Sequence, residues 1–279
     1  MDNNKNAEPI LRIYWITDLH FKDAVTGQPD AEGAIHRERH YYAAKQKMVQ
    51  AVEHMNRDKP ELVICTGDIN DGKQPFDSFM ELWDRIEADK RIVIGNHDTP
   101  NGYASIVQQL GCSRLPSVAG SVFNHSLVLS KDGLRVKVIL LDTNIGDDGV
   151  HLNGGVQGTI QPEALHWLEQ ELSEGNEELV LLFTHNGLGG PASYFNQQHV
   201  QRFVEMVESA AEDKQSLQVI NLAGHHHVHP VAVEKHISPH IRFINGVAMI
   251  AGETSSVNVV EIYKDGSFGL TYKEVGYWR

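Results

Sequence analysis

Eight side chains suited to metal chemistry recur in this sequence at the same kind of place, directly after a short apolar run. Asp18 and His20 follow residues 11–16, and Asp68 follows 62–65 through Gly67. Asn96 and His97 follow 91–94 through Gly95, His185 follows 179–183, and His225 and His227 follow 219–222. Carboxylates, imidazoles and an amide oxygen, with no thiolate among them, suit Mn, Fe or Zn rather than a Cys-rich structural zinc site. Two divalent ions would take about seven protein ligands with one shared, leaving positions for water and substrate. Asp68, a carboxylate with two oxygens, is the natural shared ligand. Residues two apart in extended chain face the same side, so Asp18 and His20 are expected to reach one ion together.

The elements that must position these groups can be read from periodicity. The apolar runs are short, β-branched and bounded by turn residues, which predicts buried strands. Between them, Tyr41, Ala44, Met48, Val52 and Met55 recur at helical spacing, with Pro60 closing that helix; Phe76, Phe79, Met80, Trp83 and Ile86 mark another. Pro162 opens a helix carrying Leu165, Leu168 and Leu172, and Val200, Phe203, Val204 and Val207 form the buried face of a fourth. Strand, helix, strand, helix, strand implies parallel pairing with right-handed crossovers, and in such sheets ligands gather outside the carboxyl ends of the strands. Residues 121–129 and 134–141 read as a hairpin joined through Lys131, Asp132 and Gly133, and residues from 241 onward as antiparallel strands. The expected class is mixed α/β in one domain spanning 1–279.

The chain has 279 residues, 41% apolar and 22% charged, with a formal charge of -13. No stretch approaches the roughly 18 apolar residues a membrane helix needs. The first nine residues are polar and lack the apolar core of a secretory signal, which makes the cytoplasm the expected location. The acidic balance disfavours a grip on nucleic acid, which needs clustered Lys and Arg, yet is compatible with phosphate chemistry if cations are bound by carboxylates. Cys65 and Cys112 are the only cysteines; Cys65, inside an apolar run, is expected as a buried thiol.

The ordered motifs Asp18-x-His20, Gly67-Asp68-x-x-Asp71, Gly95-Asn96-His97-Asp98, a lone His185 after a strand and Gly224-His225-x-His227 resemble the calcineurin-like metallophosphoesterase superfamily. The resemblance implies two mixed β-sheets sandwiched between helices. It implies that Asp18, His20 and His227 hold a first metal, that Asn96, His185 and His225 hold a second, and that Asp68 bridges them. His97 would be a catalytic histidine that is not a ligand, with Asp71 orienting its imidazole. The reaction implied is in-line attack by a metal-held hydroxide on a phosphodiester or phosphoanhydride of a small, nucleotide-derived or other phosphate-containing substrate.

Departures narrow the branch. Similar protein serine/threonine phosphatases carry Arg-Gly after the second Asp and Glu after Asn-His, where this chain has Gly72-Lys73 and Asp98; similar purple acid phosphatases have a Tyr ligand where Asp71 stands. The pattern looks more like phosphodiesterases and diphosphatases, including manganese-dependent ADP-ribose/CDP-alcohol diphosphatases, through Tyr41-Tyr42 and through Gly154-Gly155 before the Trp167 helix. A phosphomonoesterase on the same centre, a nuclease and a non-catalytic scaffold are the competing readings. His226 is left out because it would point away in extended chain. His151 and His229 are candidates for supporting the ligands. Arg37, Arg39, Tyr194 and Phe195 lie in loops that could face the pocket, although solvated charge and ordinary packing are the better explanation for these four. Specificity is expected from the loops 21–40, 144–158 and 186–198.

Overall fold

A computed structural model describes residues 8–22, 40–189, 194–229 and 232–277, with only the backbone of 42 and 277. Arg37 and Arg39 lie outside the described residues, as does most of the 21–40 loop.

Side chains that alternate between the two faces of each strand set the layers. In β1 (Leu11–Ile16), Tyr14 and Ile16 pack with residues from helix α1 (Ala44–Asp58) and helix α2 (Asp77–Trp83), among them Met48, Val52 and Phe79. The alternate residues, Leu11, Ile13 and Trp15, face Val136, Val138 and Leu140 of β5 (Leu134–Leu141) and Leu181 and Phe183 of β6 (Leu179–Thr184). On the far side, Ile139, Leu141, Val180 and Leu182 meet Leu168 of α4 (Pro162–Ser173) and Phe203 and Val207 of α5 (Gln197–Asp213). Strands buried on both faces read as continuous apolar runs, which is why the sequence announced them so clearly. The result is helix, sheet, sheet, helix.

The first sheet has the order β11-β10-β1-β2-β3, with β2 (Leu62–Cys65) and β3 (Lys90–Ile92) parallel to β1, and β10 (Thr254–Ile262) and β11 (Phe268–Tyr277) antiparallel. The second is β4-β5-β6-β7-β9-β8, in which β5, β6, β7 (Gln218–Val228) and β9 (Ile241–Val247) run parallel while β4 (His125–Lys131) and β8 (Val233–Ser238) form antiparallel edges. The expected mixed α/β architecture is therefore present. No helix among the described residues is long and apolar enough to cross a membrane, and Cys65 and Cys112 are free and buried.

Three boundaries differ from the periodicity reading. The strand expected over 91–94 ends at Ile92 because the Ile94 carbonyl turns away to accept the Asn144 Nδ2–H at 2.8 Å. The first hairpin strand begins at His125, since Ser121 is held by its hydroxyl to Asp142 at 2.8 Å. Helix α3 (Tyr103–Gln109) has one fully buried apolar residue, Ile106, too little for a periodic signal.

Candidate metal centre

The candidate residues share an unusual backbone. Among the described non-glycine residues, eight have left-handed φ, and five of them are Asp18 (54°), His20 (49°), Asp68 (50°), His225 (73°) and His227 (49°). Such conformations cost on the order of 1–3 kcal/mol each and persist only where neighbouring structure over-determines them. This corrects the argument from strand alternation: Asp18 and His20 converge because both sit in left-handed turns beyond β1. The same holds for β7, whose pairing with β9 is interrupted between Ala223 and Val228. His226 is outside both donor groups described below, as expected, but through this bulge rather than through extended geometry.

Neighbouring backbone fixes these turns. Asp18 N–H donates to the Gly67 carbonyl at 3.0 Å and His20 N–H to the Asp68 carbonyl at 2.8 Å. His225 N–H donates to the Asp18 carboxylate at 3.0 Å, and His97 N–H to Asp68 Oδ1 at 2.9 Å. Two glycines permit the approach: a methyl on Gly95 would overlap Asp68 Oδ1 and backbone nitrogen, and one on Gly224 would overlap Thr17 Oγ1 and crowd Asp18 Oδ2.

Two donor groups result. Asp18, His20, Asp68 and His227 bring one ligand atom each within 4.8 Å of one another, as do Asp68, His185 and His225. In the first, His20 Nε2 is 2.8 Å from His227 Nε2, which is 3.3 Å from Asp18 Oδ1, and Asp68 Oδ2 is 3.5 Å from His20 Nε2. In the second, His185 Nε2 lies 3.3 Å from Asp68 Oδ1 and 3.0 Å from Asn96 Oδ1, and His225 Nδ1 is 3.0 Å from the same amide oxygen. The two oxygens of Asp68 thus face different groups. Asn96 Oδ1 lies between the His185 and His225 rings.

The electrostatics fit cations. His185 Nδ1 is 2.8 Å from the Thr66 carbonyl, an acceptor, so it carries the proton and a neutral His185 presents a bare lone pair at Nε2. That lone pair faces Asn96 Oδ1, Asp68 Oδ1 and His225 Nδ1, an unfavourable meeting of acceptors that a divalent cation would relieve. Without a cation, burial works against charge on His185 but the Asp68 carboxylate outweighs it and pushes the ring up to about 9. Burial together with the His185 charge pushes His225 down to about 3, and burial lowers His20 as well, keeping both as neutral donors. Burial would raise Asp68 and Asp18, yet His185 for the one and His227 for the other hold both below the ordinary carboxylate range.

His97 stands apart. Its ring is 35% exposed, and Nδ1 is 2.9 Å from Asp71 Oδ1. Burial would lower His97, but the Asp71 bond and the Asp68 charge prevail and raise it. Asp71 also lies 3.5 Å from His20 Nδ1 and 3.6 Å from Lys22 Nζ, and His20, Asp71 and His97 form a further cluster of potential donors. Asp98, which closes the Gly95-Asn96-His97-Asp98 motif, is a buried brace: its carboxylate accepts N–H bonds from Asn70 and Gly95, both at 2.9 Å.

The remaining candidates divide. Phe195 is wholly buried in the core beside α5. Tyr194 is 36% exposed and sets its ring edge-on to His225 and His226, with centroids 5.2 and 4.8 Å apart. His151 bonds Asp142 at 3.0 Å and stacks on Tyr103 rather than touching either donor group. The Gly-rich segment packs on the turn after His97, where Gly154 N–H donates to Thr99 Oγ1 at 2.8 Å.

A probable glycerophosphodiester phosphodiesterase, GpdQ, of Arcobacter nitrofigilis is 27% identical over 143 residues, which is 50% of this chain and 47% of that protein; the chain thus matches only about half the length of this curated relative. A dimetal phosphatase from Danio rerio shares the fold with a TM-score of 0.70 at 18% identity, over 97% of this chain and 98% of that one. GAP50, described as the anchor in the inner membrane complex of Plasmodium, shares it at TM-score 0.60 and 10% identity, over 96% and 86%. Both structural likenesses speak to fold alone. The calcineurin-like phosphoesterase model matches residues 11–229, a span that holds every donor described above, and the chain belongs to that family.

Proposed function

We propose that the chain is a dinuclear metal-dependent phosphohydrolase cleaving a phosphodiester or phosphoanhydride bond of a small molecule. The observation that carries this reading is Asp68, whose Oδ2 faces the Asp18, His20 and His227 group while Oδ1 faces the Asn96, His185 and His225 group. Two divalent cations held there would supply the positive charge that activates a water and draws in phosphoryl oxygens. Manganese, iron and zinc all suit these donors.

The chain's own residues do the rest. The Asp71 carboxylate accepts the Nδ1 proton of His97, which orients the ring and leaves Nε2 to hold a proton toward the departing oxygen. The Asp71 bond and the Asp68 charge raise the His97 pKa, which favours retention of that proton. Tyr194, edge-on to His225, and the segment 146–158, which packs on the turn after His97 through Gly154, are where the leaving group would be discriminated. The diester preference is supported by the curated relative's name.

The test is hydrolysis of a chromogenic phosphodiester beside its monoester by metal-stripped protein, with Mn²⁺, Zn²⁺ or nothing restored. Metal-dependent activity favouring the diester is expected. Preference for the monoester would move the reading to a phosphomonoesterase, and inactivity with two ions bound would move it to a scaffold.

A further inference from the structure

Lys47 is a lysine of α1 whose side chain is fully buried and which forms no part of either donor group. Its ammonium donates toward four consecutive carbonyls: Met249 at 3.0 Å, Ile250 at 3.3 Å, Ala251 at 3.1 Å and Gly252 at 2.8 Å. Three N–H groups are thus shared among four acceptors, an arrangement that suits a cation curled inside a peptide loop. Burial pushes Lys47 down to about 7, and the four carbonyl dipoles work in the opposite direction.

The amide groups of that loop point the other way. Met249 N–H donates to the Thr17 carbonyl and Ile250 N–H to the Asp18 carbonyl, both at 3.0 Å, while Ala248 N–H donates to the Val228 carbonyl at 3.1 Å. Those acceptors belong to the two left-handed turns that carry Asp18 and His20 on one side and adjoin His227 on the other. The loop is a bridge with its carbonyls on Lys47 and its amides on the first donor group. A charge on one side of a peptide also polarises it and strengthens the donor on the other.

We propose that Lys47 is a positioning residue for the candidate metal centre, holding the 248–252 loop so that the strained turns at Asp18 and His227 present their ligands together. The inference rests on Asp18, His20 and His227 acting as ligands. It extends the site to a residue linked to the ligands through the loop's backbone hydrogen bonds.

The experiment compares parent protein, Lys47→Met and Met48→Ala by Mn²⁺ titration against a chelator, with melting temperature recorded for each. Met48 is a fully buried neighbour on α1 in the same apolar core as the loop's side chains and has no N–H to offer the loop carbonyls, so it reports lost packing there without loss of the ammonium. Lys47→Met is expected to weaken one of two Mn²⁺ sites by roughly 10–100-fold while the other holds, with activity recovering at saturating Mn²⁺. Unchanged affinity at both sites would overturn the proposal, as would the same selective loss in Met48→Ala. Should Lys47→Met not fold, Lys47→Gln, which keeps two N–H donors, carries the same comparison. A parent that binds fewer than two ions would instead sink the dinuclear reading, and is thereby distinguished.

Discussion

His20 Nε2 and His227 Nε2 stand 2.8 Å apart although 207 positions separate them in the chain. Between two neutral rings at most one of these atoms can donate, and Asp18 and Asp68 carboxylate oxygens lie close by, at 3.3 Å from His227 and 3.5 Å from His20. Such a set is stable only around positive charge, whether a proton or a bound cation.

The sharing of Asp68 predicts unequal outcomes for single substitutions. His185→Ala should cost one bound ion and leave the Asp18, His20 and His227 group able to hold the other. Asp68→Ala should cost both. Elemental analysis after dialysis against chelator reads the difference, and equal stoichiometry in the two variants would rule out a shared carboxylate.

His97→Ala should lower kcat by roughly 10²–10⁴-fold, the range for a lost general acid, with metal content intact. The cluster of His20, Asp71 and His97 makes the metal measurement decisive, because loss of an ion would recast His97 as a ligand.

The pH profile tests the Asp71–His97 pair. His97 must be protonated to donate, and its pKa is raised, so this contribution is full at low pH and falls as pH rises through that raised value. Asp71→Asn removes the largest raising influence, the side-chain bond. The alkaline limb of kcat should therefore move to lower pH. A limb that stays in place would show that another group controls it.

Far from the site, Tyr14, Asp58 and Lys273 form a second polar cluster, with Asp58 Oδ2 2.5 Å from the Tyr14 hydroxyl and 2.8 Å from Lys273 Nζ. Burial would raise Asp58, but these two bonds hold it at about 2, while burial and the Asp58 bond push Tyr14 up to about 12. A depressed carboxylate contributes stability above its unfolded pKa of about 3.9, and that contribution is lost as pH falls through the folded value. Urea unfolding at descending pH should therefore show an acid loss between about pH 4 and 2. Asp58→Asn should flatten that limb.

Gly224→Ala should damage the first donor group specifically, because its methyl would overlap Thr17 Oγ1 and crowd Asp18 Oδ2. Weaker Mn²⁺ binding at one site, alongside a lowered melting temperature, is the expected pair of results. A drop in melting temperature alone would mean that the turn relaxes without moving Asp18.

The sequence by itself determined the donor types, their order and the strands they follow, because ligand chemistry and continuous apolar runs are local properties. It also marked strands covered on both faces, since such strands must be apolar throughout, whereas the four-layer arrangement was implied only by the resemblance that the motifs carry. What it could not determine is how the donors divide. The assignment of Asp68 Oδ1 and Oδ2 to different groups depends on β1, β2 and β6 meeting across two sheets, a matter of long-range packing. Alternation predicted that Asp18 and His20 share a side, and they do converge, but through left-handed turns, a conformation that Asp and His adopt more readily than most residues without their type dictating it. Asp98 is a brace because only the folded chain brings the Asn70 and Gly95 amides to its carboxylate. Lys47 sat unnoticed in a helical repeat, as its four carbonyl partners are more than 200 positions away. Backbone acceptors leave no trace in side-chain sequence, so that link belongs to tertiary structure alone.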